Sequence, residues 1–251
     1  MFSPGTINAL LAAWLLIAAV VFCILMKVPA PYGRLVRSGW GPQLPSGLNW
    51  ALMESPAAIV FTVIFLASQP HATAAWCFFL LWNAHYSYRC MIYPWLVRRS
   101  HRVPLTITLS GFGFNVMNGF LQAMSLFEFA NPLPDTWPRS PAFLIGTLLF
   151  AAGFSIHLQA DAQLRQLRRA LGPGYHVPHG GLFHWVSCPN YLGEVIEWLG
   201  WALLTWSWAG LVFALWTAAN LIPRAITSHK WYRAQFADYP TERRAIFPFV
   251  L

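Results

Sequence analysis

Apolar residues fall into seven long segments along the chain, and polar or basic stretches separate them. The segments cover about 7–27, 51–68, 73–97, 104–127, 141–158, 190–207 and 209–228. A helix of about 20 apolar residues is long enough to cross a bilayer. Only residues 207–210 separate the last two segments, which predicts a tight helical hairpin there. The pattern predicts an all-α integral membrane protein with seven transmembrane helices, folded as a single membrane domain over 1–251.

The composition excludes a soluble protein. The chain is 57% hydrophobic and only 10% charged, whereas soluble domains carry about 25% charged residues. The 14 tryptophans fit the interfacial belts of membrane proteins. The first apolar segment lacks a basic start and a small-residue cleavage pattern, so we expect a retained helix and not a signal peptide.

The basic residues set the predicted topology. With seven spans, nearly all of the 16 lysines and arginines lie in loops on one side of the membrane. Arg139 falls on the opposite side, and Arg89 falls within the third span. The positive-inside rule then predicts an N-terminus outside and a C-terminus in the cytosol, in a bacterial inner membrane or the endoplasmic reticulum. The net charge of +8 follows this topology and does not indicate nucleic-acid binding.

Several common cofactor and metal motifs are missing from the sequence. The four cysteines lie in or beside apolar segments without metal-ligand spacing, which is typical of small buried side chains, so no metal site or disulfide framework is predicted. No G-x-G-x-x-G or P-loop motif occurs. A nucleotide cofactor would therefore need a site that is not a Rossmann unit.

Residues 157–201 place polar side chains on two predicted helix ends. On the first, one face carries His157, Asp161, Arg165 and Arg168. On the second, one face carries Asn190, Glu194, Glu197 and Trp201. Carboxylates on an apolar helix are costly unless they bind something. The stretch is either a solvated loop region between two membrane helices or, as we favour, a site for a polar ligand at the membrane surface.

A second group of polar residues lies in the first half of the chain. Glu54 is the only acid there, and in apolar surroundings it could remain protonated and donate a hydrogen bond. Tyr86 lies in the third segment, where polar side chains should face the bundle interior. Arg89 needs an acceptor, and Glu54 is a candidate. A phenol beside a carboxyl could polarise a carbonyl group; alternatively, both residues are satisfied locally and serve only packing.

A third group lies near the C-terminus, where Arg224, Ser228 and Tyr232 share one helix face. Arg224 follows an apolar span and Pro223. It is either an arginine that extends to the membrane interface or a clamp for a phosphate group.

Motifs along nearly the whole chain resemble those of the steroid 5-alpha-reductase family. They are PYGR at 31–34, W-x-x-x-E at 50–54, HY-x-x-R at 85–89, NG-x-LQ at 118–122, D-x-x-LRQLR at 161–168, GGLF-x-x-VS-x-x-N-x-LGE-x-IEW at 180–198 and F-x-DYP-x-x-R-x-A-x-x-PF at 236–249. The resemblance implies a seven-helix membrane enzyme that uses NADPH to reduce the 4,5 double bond of 3-oxo-4-ene steroids to 5-alpha-3-oxosteroids.

The resemblance also implies roles for individual residues. Glu54 and Tyr86 match the residues that hydrogen-bond the steroid 3-carbonyl while hydride reaches C5. The implied cofactor residues are Tyr32, His157, Asp161, Arg168, Tyr175, Asn190, Glu194, Arg224 and Tyr232. The implied substrate residues are Trp50, Met53, Phe114, Trp216 and Leu221. Residues 1–130 would mainly serve the steroid, and residues 155–251 mainly the cofactor.

Five positions depart from the family pattern. His157 replaces an asparagine, His176 and Ser110 replace arginines, Ser228 replaces a histidine and Met53 replaces a glutamine. His157, His176 and Ser228 bear on cofactor recognition and on the preference for NADPH over NADH. We expect a steroid and membrane lipid as partners, with no obligate protein partner. The alternative is a membrane methyltransferase of the isoprenylcysteine carboxyl type, which would bind S-adenosylmethionine.

Overall fold

The computed structural model describes residues 3–31, 35, 39–68, 72–97, 102–129, 133–172 and 174–251. Over these ranges the chain is mainly helical, with two short strands and non-helical connecting segments. The α-helices in chain order are α1 Pro4–Lys27, α2 Ser46–Ala67, α3 Thr73–Ser87, α4 Tyr93–Leu96, α5 Leu105–Ala123, α6 Pro141–Leu171, α7 Pro189–Thr205 and α8 Trp208–Gln235. Short 3-10 turns lie at Trp137–Arg139 and Gly181–His184. The predicted all-α class is therefore confirmed.

Each predicted apolar segment coincides with a helix. A π-helical turn at Tyr88–Ile92 joins α3 to α4, and another at Met124–Glu128 extends α5. Within the described ranges, four helices are long and apolar enough to cross a membrane, namely α1, α2, α6 and α8. By contrast, α3 has 15 residues and α7 has 17. The helices indicate a membrane protein, while the seven-span topology stays a prediction.

A pair of strands fixes where two helices begin. Strands β1 (Gln43–Pro45) and β2 (Arg102–Pro104) pair antiparallel, with Leu44 opposite Val103. Each strand ends in a proline whose extended backbone leads directly into α2 or α5. The hydropathy pattern does not predict this pair, because three-residue strands are too short to show alternation. The pair starts α2 and α5 side by side.

The chain divides into two compact units. The first comprises Met1–Trp14, Ala30–Leu144 and Thr205–Gly210; the second comprises Leu15–Pro29, Ile145–Leu204 and Leu211–Leu251. The candidate carbonyl-binding residues lie in the first unit. Most candidate cofactor residues lie in the second.

Glycines bring α6 and α7 into backbone contact in the second unit. Two glycines on α6, Gly146 and Gly153, face Gly200 and Gly193 on α7. Within each helix the two glycines are seven residues apart. A Cβ atom added at Gly153 would lie 2.3 Å from the backbone nitrogen of Glu197. Small residues at this spacing are typical of close helix packing in membranes. The close approach brings the polar faces of α6 and α7 together.

The C-terminal tail holds the start of α7. Val186 and Arg244 form a parallel β-bridge, and the Ser187 and Cys188 amides donate to the carbonyls of Arg244 and Ala245 at 2.8 and 3.2 Å. Around this bridge lies an apolar cluster of Val186, Cys188, Leu192, Val195, Leu221, Ala225, Ala245 and Ile246. The tail therefore fixes the segment from which α7 emerges.

The predicted hairpin between the last two helices is confirmed. Helix α7 ends at Thr205 and α8 begins at Trp208. Trp206 adopts a left-handed backbone conformation with φ of 48°. The Ser207 hydroxyl accepts a hydrogen bond from the Gly210 amide at 3.0 Å and so caps α8.

Candidate active site and cofactor site

A buried ion pair links α2 to the π-helical turn after α3. Glu54 is only 7% exposed, and Nη2 of Arg89 donates to its Oε1 at 3.0 Å. The acceptor that the sequence suggested for Arg89 is therefore present. The π turn adds a residue to the helical repeat and alters the direction in which the following side chains point. Arg89 lies in this turn, opposite the carboxylate.

Two aromatic rings enclose the guanidinium of Arg89. Its carbon lies 4.4 Å from the ring centre of Trp50 and 5.0 Å from that of Tyr93. The two rings meet edge to face, with their centres 5.2 Å apart. A cation over aromatic rings is stabilised by their negative faces. Trp50, one of the implied substrate residues, thus helps to hold Arg89 against Glu54.

Tyr86 lies on the same face of α3 as Trp82, which contacts α2. One turn before Tyr86, Nε1 of Trp82 donates to the Ala57 carbonyl at 3.0 Å; Arg89, which binds Glu54 on α2, follows in the π-helical turn. Residues three and four apart share a helix face, so Tyr86 lies on the α3 face turned toward α2. It is 2% exposed and packs on Trp82, with ring centres 4.7 Å apart.

Helix α5 contacts α2 next to Glu54 in the first unit. The amide of Asn115 donates to the Met53 carbonyl at 2.7 Å. The Met53 side chain occupies the space above Gly111, where an added Cβ would lie 2.2 Å from its Cγ. Phe114 stacks on Trp14 with ring centres 5.7 Å apart. Trp50, Met53 and Phe114 thus belong to the same unit as Glu54 and Tyr86.

The second unit contains a cluster of a histidine and two carboxylates. His157 on α6 is 1% exposed. Its Nδ1 lies 2.8 Å from Oε1 of Glu194 on α7, and its Nε2 lies 3.6 Å from Oδ2 of Asp161. Asn190 donates to Oδ1 of Asp161 at 3.2 Å. The structure therefore brings together four of the implied cofactor residues.

Arg224 and Tyr232 lie on α8. Nε of Arg224 donates to the hydroxyl of Tyr191 at 2.6 Å, which ties Arg224 to the residue after Asn190. The ring of Tyr232 stacks on Tyr239 of the tail, with centres 5.4 Å apart and an angle of 11°. Both implied cofactor residues on α8 are thus held in place, Arg224 by α7 and Tyr232 by the tail.

The remaining predicted residues are more dispersed. Tyr175 packs edge to face on Trp231 at 5.2 Å, and Arg168 is half-buried on α6. Trp216 and Leu221 are buried on α8 in the second unit, and Leu221 belongs to the apolar cluster around the tail. Tyr32 lies outside the described residues.

Two sets of contacts were not predicted from the sequence. Tyr191 was not among the predicted residues, although it lies inside the N-x-LGE motif. The Ser187 hydroxyl was not predicted either; it lies 2.7 Å from both Nδ1 of His229 and the phenol of Tyr239. Burial raises the pKa of Tyr239, while its hydrogen bonds with Ser187 and Arg243 oppose the change. Ser187 and Tyr239 both lie in family motifs, which was the available signal.

The described residues contain no group of three or more histidine, cysteine, aspartate or glutamate side chains that could hold a metal ion. The histidine–carboxylate cluster presents the carboxylate oxygens of Asp161 and Glu194. Its acceptors can bind hydroxyl groups, and the arginines can bind phosphates. In the first unit, the phenol of Tyr86 and the carboxyl group of Glu54 are both buried.

The apolar helices indicate a helical membrane protein, with a buried polar cluster in each unit. A profile described as 3-oxo-5-alpha-steroid 4-dehydrogenase matches residues 101–251. The chain belongs to this family, which is the steroid 5-alpha-reductase family of oxidoreductases. The match confirms the resemblance seen in the sequence, and it favours an oxidoreductase over a methyltransferase.

Individual relatives match across nearly the whole chain. Steroid 5-alpha-reductase DET2 of Arabidopsis thaliana is 40% identical over 251 residues, covering 94% of both chains. The 3-oxo-5-alpha-steroid 4-dehydrogenase 1 of Bos taurus is 37% identical, covering 94% of this chain and 93% of its own. The Homo sapiens enzyme of the same name is 36% identical, covering 93% and 91%. An oxidoreductase family that acts on steroids implies a nicotinamide cofactor.

Proposed function

We propose that this protein reduces the 4,5 double bond of 3-oxo-4-ene steroids to 5-alpha-3-oxosteroids, with NADPH as the hydride donor to C5. The observation that supports this most is the arrangement of Glu54, Arg89 and Tyr86 in the first unit. A buried carboxyl is oriented by an arginine, and a buried phenol lies on the facing helix. Such a pair suits a ketone oxygen that gains negative charge during the reaction.

Tyr86 and Glu54 have distinct roles in this mechanism. The phenol of Tyr86 donates a hydrogen bond to the steroid 3-carbonyl oxygen. In the free protein Glu54 pairs through Oε1 with Arg89; in the reacting complex it carries a proton on Oε2, which it donates in a hydrogen bond to the same oxygen. Reduction at C5 builds charge on that oxygen as the enolate forms, and both donors stabilise it. A proton from water then completes the product at C4.

The residues of the second unit fit a dinucleotide. Asp161 and Glu194 offer carboxylate oxygens for sugar hydroxyl and carboxamide groups, and Asn190 offers an amide. Arg168 and Arg224 offer cations for phosphate groups. Tyr175 and Tyr232 supply aromatic surface and hydroxyls, and Tyr32, which lies outside the described residues, is included on the family resemblance alone. When bound, NADPH supplies the hydride; the protein binds, orients and shields the reactants.

The membrane arrangement is part of the proposal. We infer seven spans, with the N-terminus outside and the C-terminus in the cytosol, because nearly all lysines and arginines then lie on the cytosolic side. The apolar steroid enters from the bilayer, and the anionic cofactor enters from the basic face. Cysteines introduced at each terminus, tested for reaction with a membrane-impermeant reagent, report the orientation.

The reaction is tested with the purified protein in detergent micelles. NADPH and a panel of 4-ene-3-ketosteroids are added, and NADPH oxidation and product mass are followed. We expect a mass gain of two hydrogens and a 5-alpha product. Tight binding of S-adenosylmethionine with no binding of NADPH would transfer the assignment to methyl transfer.

A further inference from the structure

The hydroxyl of Ser187 connects three parts of the second unit. Ser187 lies just before α7, and its Oγ donates to the carbonyl of Arg244 in the tail at 3.0 Å. The same oxygen lies 2.7 Å from Nδ1 of His229 on α8 and 2.7 Å from the phenol oxygen of Tyr239 in the tail. Ser187 is 3% exposed and Tyr239 is 6% exposed. The hydroxyl is therefore a buried junction between the start of α7, α8 and the tail.

The three contacts use the full hydrogen-bonding capacity of a serine hydroxyl. A hydroxyl has one proton to donate and two lone pairs that accept. The carbonyl of Arg244 can only accept, so all three contacts are satisfied when it receives the serine proton. The phenol of Tyr239 and an Nδ1–H of His229 then donate to the serine oxygen. Replacing Ser187 by alanine would deprive three polar groups of one partner each.

Two contacts with α8 lie on either side of Asn190 in the sequence. Asn190 is in the first turn of α7, three residues after Ser187, which contacts His229 on α8. The next residue, Tyr191, accepts a hydrogen bond from Nε of Arg224, also on α8, at 2.6 Å. The start of α7 is thus fixed to α8 at two points, one before Asn190 and one after it.

Asn190 is the residue through which these contacts can affect a ligand. It is half-buried, its amide donates to Oδ1 of Asp161 at 3.2 Å, and it is one of the residues proposed to bind the dinucleotide. Ser187, by contrast, is enclosed by its own partners. A binding group is effective only when the residues behind it hold it in the productive geometry. Ser187 therefore influences ligand binding through the placement of Asn190.

We propose that Ser187 is a positioning residue for the cofactor: its bonds to His229 and Tyr239 hold the start of α7 so that Asn190 is aligned for the dinucleotide. This inference rests on the proposed use of NADPH by the second unit. It goes beyond that function, because it gives a role in cofactor affinity to a buried hydroxyl that touches no reactant. The role is exercised through Asn190, which distinguishes it from a general contribution to folding.

Isothermal titration of NADPH into the purified protein in detergent micelles, together with steady-state kinetics, tests the proposal. Ser187→Ala should raise the Kd for NADPH about threefold to tenfold, while kcat at saturating NADPH and the KM for the steroid stay close to wild type. Tyr239→Phe removes only the phenol hydroxyl, keeps the ring that stacks on Tyr232, and should raise the Kd in the same direction. Ser155→Ala is the matched control, because the exposed Ser155 hydroxyl donates to the carbonyl of Ala151 within α6, and it should keep the wild-type Kd.

A double variant shows whether Ser187 acts through Asn190. Asn190→Ala removes the aligned amide, so adding Ser187→Ala to it should raise the Kd by no more than about a further twofold. An unchanged Kd in Ser187→Ala, or a full additional rise in the double variant, overturns the inference and leaves the proposed function intact. If Ser187→Ala does not fold, Tyr239→Phe alone and combined with Asn190→Ala decides by the same two outcomes. Absence of NADPH binding by the wild-type protein would overturn the proposed function and the inference with it.

Discussion

Removing the cation of the Glu54–Arg89 pair should destabilise the protein strongly. Both side chains are nearly buried, at 8% exposure for Arg89 and 10% for Glu54. Arg89→Met leaves the carboxylate buried beside apolar rings, and breaking a buried pair in this way typically costs about 3–5 kcal/mol. The loss of the contacts with Trp50 and Tyr93 adds about 0.5–2 kcal/mol.

A double-mutant cycle isolates the contribution of the ion pair. Glu54→Gln removes the charge that Arg89→Met leaves unpaired, so the double variant should be about 2–3 kcal/mol more stable than the sum of the single losses predicts. The free energy of unfolding is measured in detergent micelles with denaturant, followed by tryptophan fluorescence. Arg102→Met, at an exposed position, is the matched control and should change stability by less than about 0.5 kcal/mol.

Two results would refute this reasoning. A cost of less than about 1 kcal/mol for Arg89→Met would show that the pair is not buried as an ion pair. Strict additivity in the double variant would show that the two side chains do not interact in the folded protein.

The remaining predictions concern helix packing and the cofactor residues. Gly153→Ala places a Cβ 2.3 Å from a backbone nitrogen of α7 and should cost about 1–3 kcal/mol of unfolding free energy; Gly113→Ala, with nothing within 4 Å, should stabilise α5 by about 1 kcal/mol. Equal effects of the two changes would contradict the helix contact. Asn190→Ala and Arg224→Ala should each raise the Kd for NADPH about tenfold or more, as measured by titration calorimetry, and a normal Kd would remove that residue from the cofactor site.

The positions of the helices could be predicted because helices that lie in lipid appear in the sequence as long apolar segments. Each apolar segment coincides with a helix, and the turn at Trp206 and Ser207 followed from the short gap between the last two segments. The strand pair before α2 and α5 was not predictable, since three residues cannot show a period. The π turn that carries Arg89 was hidden as well, because hydropathy does not register one inserted residue.

The individual site residues could be predicted from the sequence, but most of the contacts between them could not. The need of Arg89 for an acceptor pointed to Glu54, as the only acid in that half of the chain. The pairing of His157 with Glu194 depends on the close approach of α6 and α7 at Gly153 and Gly193, and the sequence does not show that these glycines face each other. The polar faces of the two helices were each visible, whereas their juxtaposition was not.

The effect of Glu54→Gln and Tyr86→Phe on steroid turnover is the most direct test of the proposed function. Tyr86→Phe removes a hydrogen-bond donor to the carbonyl oxygen, and Glu54→Gln replaces the carboxyl group with a less acidic amide. Each should lower kcat by about a hundredfold to a thousandfold, while the Kd for NADPH stays close to that of the wild type. Tyr88→Phe, two residues from Tyr86, is the matched control and should retain turnover. Full turnover in either Glu54→Gln or Tyr86→Phe would contradict the proposal that these two side chains bind the steroid ketone.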